Sequence, residues 1–422
     1  MFSAYSTLAR SPGAMKFSLF GLIGRMPISM DPLALIFIVV AASNSYALAG
    51  ALSATAAITM SIAMPYWSGV ADRIGQRALL IRVFPLKVVG IGVFIALINI
   101  DAPKWSWFAS IIVAEASSIN LGGLVRRRWL YVLGADTSSK SEGADDRHIV
   151  NAAYSLEALN DEFVFIVGPI IATACATSID PSAGLLAGLA FLSIGMPVFA
   201  SLRATEPPPS PRVGTIRPPA AMRSKALQAV VIPTVFVGGF FGAIAIVTVA
   251  FTTELGRSSA SGILLAIWAC GSAVAALING LVKWKLSHAA RFLIFLISLT
   301  FLAVPFLFAQ SILALALALF FNGVAIAPLI INAYGVAETS LPPDQITQSL
   351  SWVVAGMPVG GALASAISGW SIDRFGAQIS FWVPLGFLIA ALLATLPYFT
   401  TYKALISYSS KHDRTSIHRQ ER

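Results

Sequence analysis

The chain has 422 residues, 57% of them hydrophobic and only 11% charged, with a mean hydropathy of +0.80. A soluble domain carries roughly 25% charged residues, so the composition excludes an ordinary soluble protein. The net charge of +9 would suit a nucleic-acid partner, but its placement between apolar runs argues against one.

Apolar runs of about 20 residues are long enough to cross a bilayer core as helices. By that measure roughly twelve spans are expected, over 17–42, 46–71, 79–100, 105–125, 151–178, 182–202, 226–253, 260–282, 290–309, 311–337, 346–371 and 377–402. Pro27, Asp31 and Pro32 interrupt the first. Asp31, between Met30 and Pro32, is expected to mark a helix break, which membrane helices tolerate when neighbouring protein satisfies the freed backbone groups. No small-residue cleavage site follows the first span, so it is expected to be retained.

With the N-terminus on the cytoplasmic side, 23 of the 28 Lys and Arg fall in cytoplasmic segments and three, Lys104, Arg257 and Arg374, on the opposite side. This positive-inside bias sets orientation. It places both termini in the cytoplasm and suggests a plasma membrane or bacterial inner membrane. Arg25 and Lys87 lie inside spans. Arg25 is read as snorkelling to the inner interface. Cys175 and Cys270 both sit in apolar runs and form neither a disulfide framework nor a metal site.

A proline-rich basic stretch divides the spans six and six. The expected domains are an N-terminal bundle over 1–203, a cytoplasmic linker over 204–224, a C-terminal bundle over 225–402 and a basic tail over 403–422. Within the linker, Glu206 is the lone acid among several arginines. Two six-helix halves joined this way are an architecture of secondary transporters, whose substrate site lies near the bilayer midplane. A weak repeat links the halves: Gly168-Pro169 leads to Ser178-Ile179-Asp180, and Met357-Pro358 leads to Ser371-Ile372-Asp373.

The most specific local string runs from Ser68 to Arg77 and contains Asp72, Arg73, Gly75 and Arg77 between spans two and three. Gly75 suits a positive-φ turn, and Asp72 suits a helix cap or a guanidinium partner. This string resembles the loop of the major facilitator superfamily, G-x-L-A-D-R-x-G-R-R. Ser68 replaces the first glycine and Gln76 replaces an arginine. The resemblance implies an all-α polytopic fold with two pseudo-repeat halves, and a conformational rather than ligand-binding role for Asp72. In the corresponding loop of the second half, Trp284 stands in place of the aspartate. A further string, Gly369 to Gly376, repeats D-R-x-G on the outer side. Gly168-Pro169 resembles the core of the family's exporter-associated fifth-helix motif, and it reads equally as a packing kink.

Ionisable groups at membrane depth are expensive and usually functional. Glu157, Asp161 and Glu162 open span five. Glu157 and Asp161, four apart, share a helix face. Either their repulsion leaves one carboxyl holding a proton, or both pair with Arg126 or Arg128 at the inner end of span four. Asp31 and Glu115 are further proton or cavity candidates, the latter beside Ser117, Ser118 and Asn120. Asn322 reads as a substrate ligand or as a helix-to-helix hydrogen bond.

These features point to a proton-coupled secondary transporter exporting a small amphipathic molecule, an antiporter working as a monomer in the lipid bilayer. Uptake of a small nutrient is the alternative. A non-transporting sensor and a membrane enzyme are alternatives of another class. The four His, at 148, 288, 412 and 418, are too scattered for a catalytic constellation. No Walker A string is present, and neither cofactor nor metal is expected.

Overall fold

The computed structural model describes residues 7–134, 144–209, 224–282, 284, 286–339, 346–403, 405 and 406. The His148 side chain, His412, His418, most of the linker and most of the basic tail lie outside the described residues. Among the described residues the regular structure is helical, and eleven segments are long and apolar enough to cross a membrane. A further helix, Ile346–Ser380, stands where the remaining expected span lies.

Contacts divide the chain into two units. The first comprises residues 1–44 and 55–214, and the second 45–54 and 215–422. The boundary at 214 and 215 falls inside the proline-rich linker.

In the first unit, span one is two helices, α1 (Ala14–Arg25) and α2 (Pro27–Ser43). The joint lies at Met26, not at Asp31 as the sequence suggested. Pro27 takes the first helical position, where a missing N–H leaves nothing unsatisfied. Pro32 is carried inside α2. Next come α3 (Tyr46–Ile74), whose residues up to Ala54 belong to the second unit, and α4 (Gln76–Asn99). Span four, expected to be continuous, is α5 (Lys104–Ala116) and α6 (Leu121–Val132). Between them Ser117 turns its hydroxyl onto the Ala114 carbonyl at 2.5 Å. Asn120 caps α6 by accepting from the Gly123 N–H at 3.0 Å. The unit ends with α7 (Ala144–Ser178) and α8 (Ala183–Ser201). Between them Asp180 accepts from the Ser182 hydroxyl at 2.6 Å and the Ser182 N–H at 2.9 Å. Those two bonds, the hydroxyl's first, hold its carboxyl below the usual range.

The second unit contains α9 (Lys225–Glu254), α10 (Ala260–Leu281), α11 (His288–Phe301), α12 (Ile312–Gly323), α13 (Ile326–Thr339), α14 (Ile346–Ser380) and α15 (Trp382–Leu393). Gly238 and Gly242 of α9 lie directly against the backbone of Met357 and Gly361 of α14. Gly271 of α10 and Gly323 of α12 face each other in the same way. Small residues let backbones approach, and in lipid such close packing replaces the hydrophobic drive.

The two D-R-x-G strings share one local geometry. Gly75 and Gly376 both have positive φ, +89° and +81°. Glu206 accepts the Arg77 N–H at 2.8 Å, and Glu254 accepts the Ala377 N–H at 2.7 Å. The lone acid of the linker therefore caps α4. In the second unit Asp373 accepts from Ser45 Oγ at 2.8 Å and from the N–H groups of Tyr46 and Ala47 at 2.7 and 2.8 Å. It thereby caps the start of α3.

Two glycines of α4 make the packing testable. A Cβ on Gly90 would meet the Ala114 Cα at 2.7 Å, whereas one on Gly92 would meet nothing within 4 Å. Gly92→Ala should hold or raise the thermal midpoint, because Ala gains about 1 kcal/mol over Gly in a helix. Gly90→Ala should lower it, because overpacking costs about 1–3 kcal/mol of stability. Unfolding of both variants in detergent is the check, and equal midpoints would contradict the close α4–α5 approach.

Candidate functional site

Two buried ionic clusters occupy the first unit, and they differ in charge balance. The first joins α1, α6 and α7. Arg25 is 2% exposed and Glu157 0% exposed. Arg25 Nη2 donates to Glu157 Oε2 at 2.5 Å, and Nη1 donates to Asp161 Oδ1 at 2.7 Å. Arg126 Nη2 donates to Asp161 Oδ2 at 2.7 Å. Glu157 Oε1 also accepts from Ser18 Oγ at 2.5 Å and Trp129 Nε1 at 2.9 Å. Two arginines thus face two carboxylates, and the formal charges cancel.

Arg25 therefore does not snorkel. Gly122 leaves the space its guanidinium fills; a Cβ there would meet Arg25 Nη1 at 3.3 Å and Arg126 Nη1 at 3.2 Å. Arg126 pairs with Asp161, but Arg128 does not join the carboxylates. Two positions along a helix rotate a side chain to another face. Arg128 Nε donates to Gln76 Oε1 at 2.8 Å, and its Nη1 donates to the Leu202 carbonyl at 3.0 Å. Its guanidinium also lies 3.8 Å from the Phe199 ring centroid. Gln76, where the family motif has arginine, is buried and also donates to the Leu124 carbonyl at 3.1 Å. Asp72 is bonded to Arg127, and Arg73 is exposed. Glu162 is half-buried and forms no ion pair among the described residues.

The second cluster joins α2, α4 and α5. Lys87 Nζ donates to Glu115 Oε1 at 2.7 Å and to Ser118 Oγ at 3.2 Å. The Ser118 hydroxyl donates to Glu115 Oε2 at 2.6 Å. Asp31 Oδ2 stands 3.7 Å from the same ammonium. Two carboxylates share one cation here, which leaves a formal charge of minus one. The side chains of Lys87, Glu115 and Asp31 are 10%, 9% and 18% exposed. Two glycines make the site. Gly90 brings α4 onto Ala114, one residue from Glu115, and Gly188 of α8 leaves room for Asp31 Oδ1, which would lie 2.7 Å from a Cβ there. Ser118 belongs to the irregular joint of span four, so the cluster and that joint are one structure. Lys87 was absent from the sequence-derived candidates, although a lysine in mid-span was itself the signal for it.

The remaining candidates are structural in their contacts. Asn322 accepts from Trp268 Nε1 at 3.0 Å and donates to the Leu299 carbonyl at 3.0 Å, which ties three helices of the second unit together. Gly168 receives Ser29, whose hydroxyl donates to the Val164 carbonyl at 2.7 Å, so Gly168-Pro169 is where α7 packs on α2. Cys175 and Cys270 are free. No group of three metal-ligating residues occurs among the described residues.

Removing one partner of a buried pair strands the other. Arg25→Gln should lower stability by about 3–5 kcal/mol. Asp161→Asn should lower it less, because that side chain is 36% exposed. Thermal unfolding of the purified chain reads both, and an unchanged midpoint for Arg25→Gln would remove the structural role of this cluster.

Residues 230–417 match the family model described as Major Facilitator Superfamily. No curated protein matches the sequence. Among solved structures, the nucleoside transporter NupG is similar with a TM-score of 0.72 at 12% identity, over 93% of this chain and 99% of that one. An auto-inhibited POT family peptide transporter is similar with a TM-score of 0.68 at 12% identity, over 93% and 97%. A D-xylose–proton symporter is similar with a TM-score of 0.65 at 15% identity, over 90% and 96%. At these identities the likeness is one of fold.

Proposed function

The family match and the shared fold support a Major Facilitator Superfamily secondary transporter, and from that premise we propose proton-coupled transport with Asp31 as the carboxyl that exchanges the proton. The observation behind this reading is the unequal charge of the Asp31–Lys87–Glu115 cluster. An uncompensated negative charge in a low-dielectric interior is strongly disfavoured, and taking up one proton removes it. Glu115 has both oxygens engaged, by Lys87 and by Ser118. Among the described residues Asp31 has only the 3.7 Å approach to Lys87. The loosely held carboxyl is the one to load and unload. The balanced Arg25–Glu157–Asp161–Arg126 cluster has no surplus charge and serves as scaffold.

A carboxylate that accepts either a proton or a donor group of a substrate gives antiport. We assign export of a small amphipathic molecule on the resemblance of Gly168-Pro169 to an exporter motif. The second reading is uptake of a small polar nutrient, favoured by the fold shared with a D-xylose–proton symporter and a nucleoside transporter. The positive-inside bias supports cytoplasmic termini in a plasma or bacterial inner membrane. The monomer is the working unit in this reading.

Purified protein in liposomes with an internal pH dye, given pools of candidate substrates under a proton gradient, tests the assignment. Asp31→Asn should abolish substrate-dependent proton flux, while Asp161→Asn should retain it in whatever fraction of the protein stays folded. Coupling that survives Asp31→Asn and is lost in Asp161→Asn would transfer the role to the first cluster. The sign of counterflow decides between export and uptake.

A further inference from the structure

Hydrogen-bond accounting at the start of α11 leaves a buried guanidinium N–H without an acceptor. On α13, Asn332 donates its Nδ2 to the Pro328 carbonyl at 2.7 Å. That bond turns Oδ1 toward His288 Nδ1, 3.0 Å away. An amide oxygen only accepts, so Nδ1 must carry the hydrogen. Arg291 Nη2 stands 3.1 Å from the same Nδ1. A guanidinium only donates, so that approach sets one donor against another. Arg291 Nε is buried with no partner. Among the described residues no carboxylate pairs with Arg291. An anion with several acceptor oxygens would satisfy it.

The surroundings favour one kind of anion. Trp284 places its ring centroid 5.5 Å from the guanidinium carbon and is 38% exposed. Trp is favoured at the membrane–water interface. Leu281, Val282 and Leu286 flank it with exposed apolar side chains, a surface suited to acyl chains. The charge distribution puts this end of α11 on the cytoplasmic side, where basic sites between helices bind lipid headgroups. We propose that Arg291, beside Trp284 and held next to His288, binds the phosphate of an anionic phospholipid. The planar fork of Arg291 would take two phosphate oxygens, as guanidinium–phosphate pairs do.

The test uses the full chain, delipidated in detergent and titrated with phosphatidylglycerol, with bound lipid counted by native mass spectrometry. Wild type should bind phosphatidylglycerol in preference to phosphatidylcholine, and Arg291→Gln should weaken that binding about tenfold, the worth of charge-assisted hydrogen bonds. Inorganic phosphate in excess should leave the lipid bound. Equal affinity in wild type and Arg291→Gln would overturn the site. Displacement by inorganic phosphate would also overturn it, in favour of a soluble anion. If Arg291→Gln does not fold, Arg291→Lys decides. It keeps the charge but loses the fork, so weaker lipid binding than wild type supports the site and equal binding refutes it.

Discussion

A charge at bilayer depth needs a partner, and that constraint organises the first unit. Arg25, Glu157, Asp161 and Arg126 come from three separate helices and meet with no charge left over. Their geometry fixes α1 against α6 and α7. Lys87, Glu115 and Asp31 come from three others and meet with one negative charge too many. The same physics that makes the first cluster a fastener leaves the second with a charge that the proposed proton exchange would remove. The imbalance, rather than the mere presence of carboxylates, is what sets the second cluster apart from the first.

Glycines set the distances at which those charges can meet. Gly122 admits two guanidinium groups beside α6, Gly90 lets α4 lie on α5, and Gly188 opens the space beside Asp31. In the second unit, glycine faces on α9, α10, α12 and α14 do the packing with few charges. The two D-R-x-G strings use glycine differently. At Gly75 and Gly376 the left-handed backbone turns the chain so that a glutamate from elsewhere caps the next helical turn. Their aspartates then diverge: Asp72 takes a guanidinium, and Asp373 takes the N-terminus of a helix.

The spans were legible because hydropathy is a local property of sequence. Candidate carboxylates were legible for the same reason. Their partners were not. Arg25 finds Asp161 across 136 residues, and helical spacing could not choose between Arg126 and Arg128. The joint of span one was misplaced because two prolines five residues apart both signal a break, and only packing decides which one the helix absorbs. Lys87 was visible as a charge in an apolar run, but nothing local tied it to Asp31 and Glu115. Glu206 looked like a stray acid in a basic linker, and its role as a helix cap depends on the tertiary fold.

Infrared difference spectroscopy of the carboxylic C=O stretch tests most directly whether the unbalanced cluster holds a proton. Wild-type protein near neutral pH should show a protonated carboxyl band that disappears in Asp31→Asn and persists in Asp161→Asn. A wild type without the band, or a band that survives Asp31→Asn and vanishes in Asp161→Asn, would contradict the assignment of the exchangeable proton to Asp31.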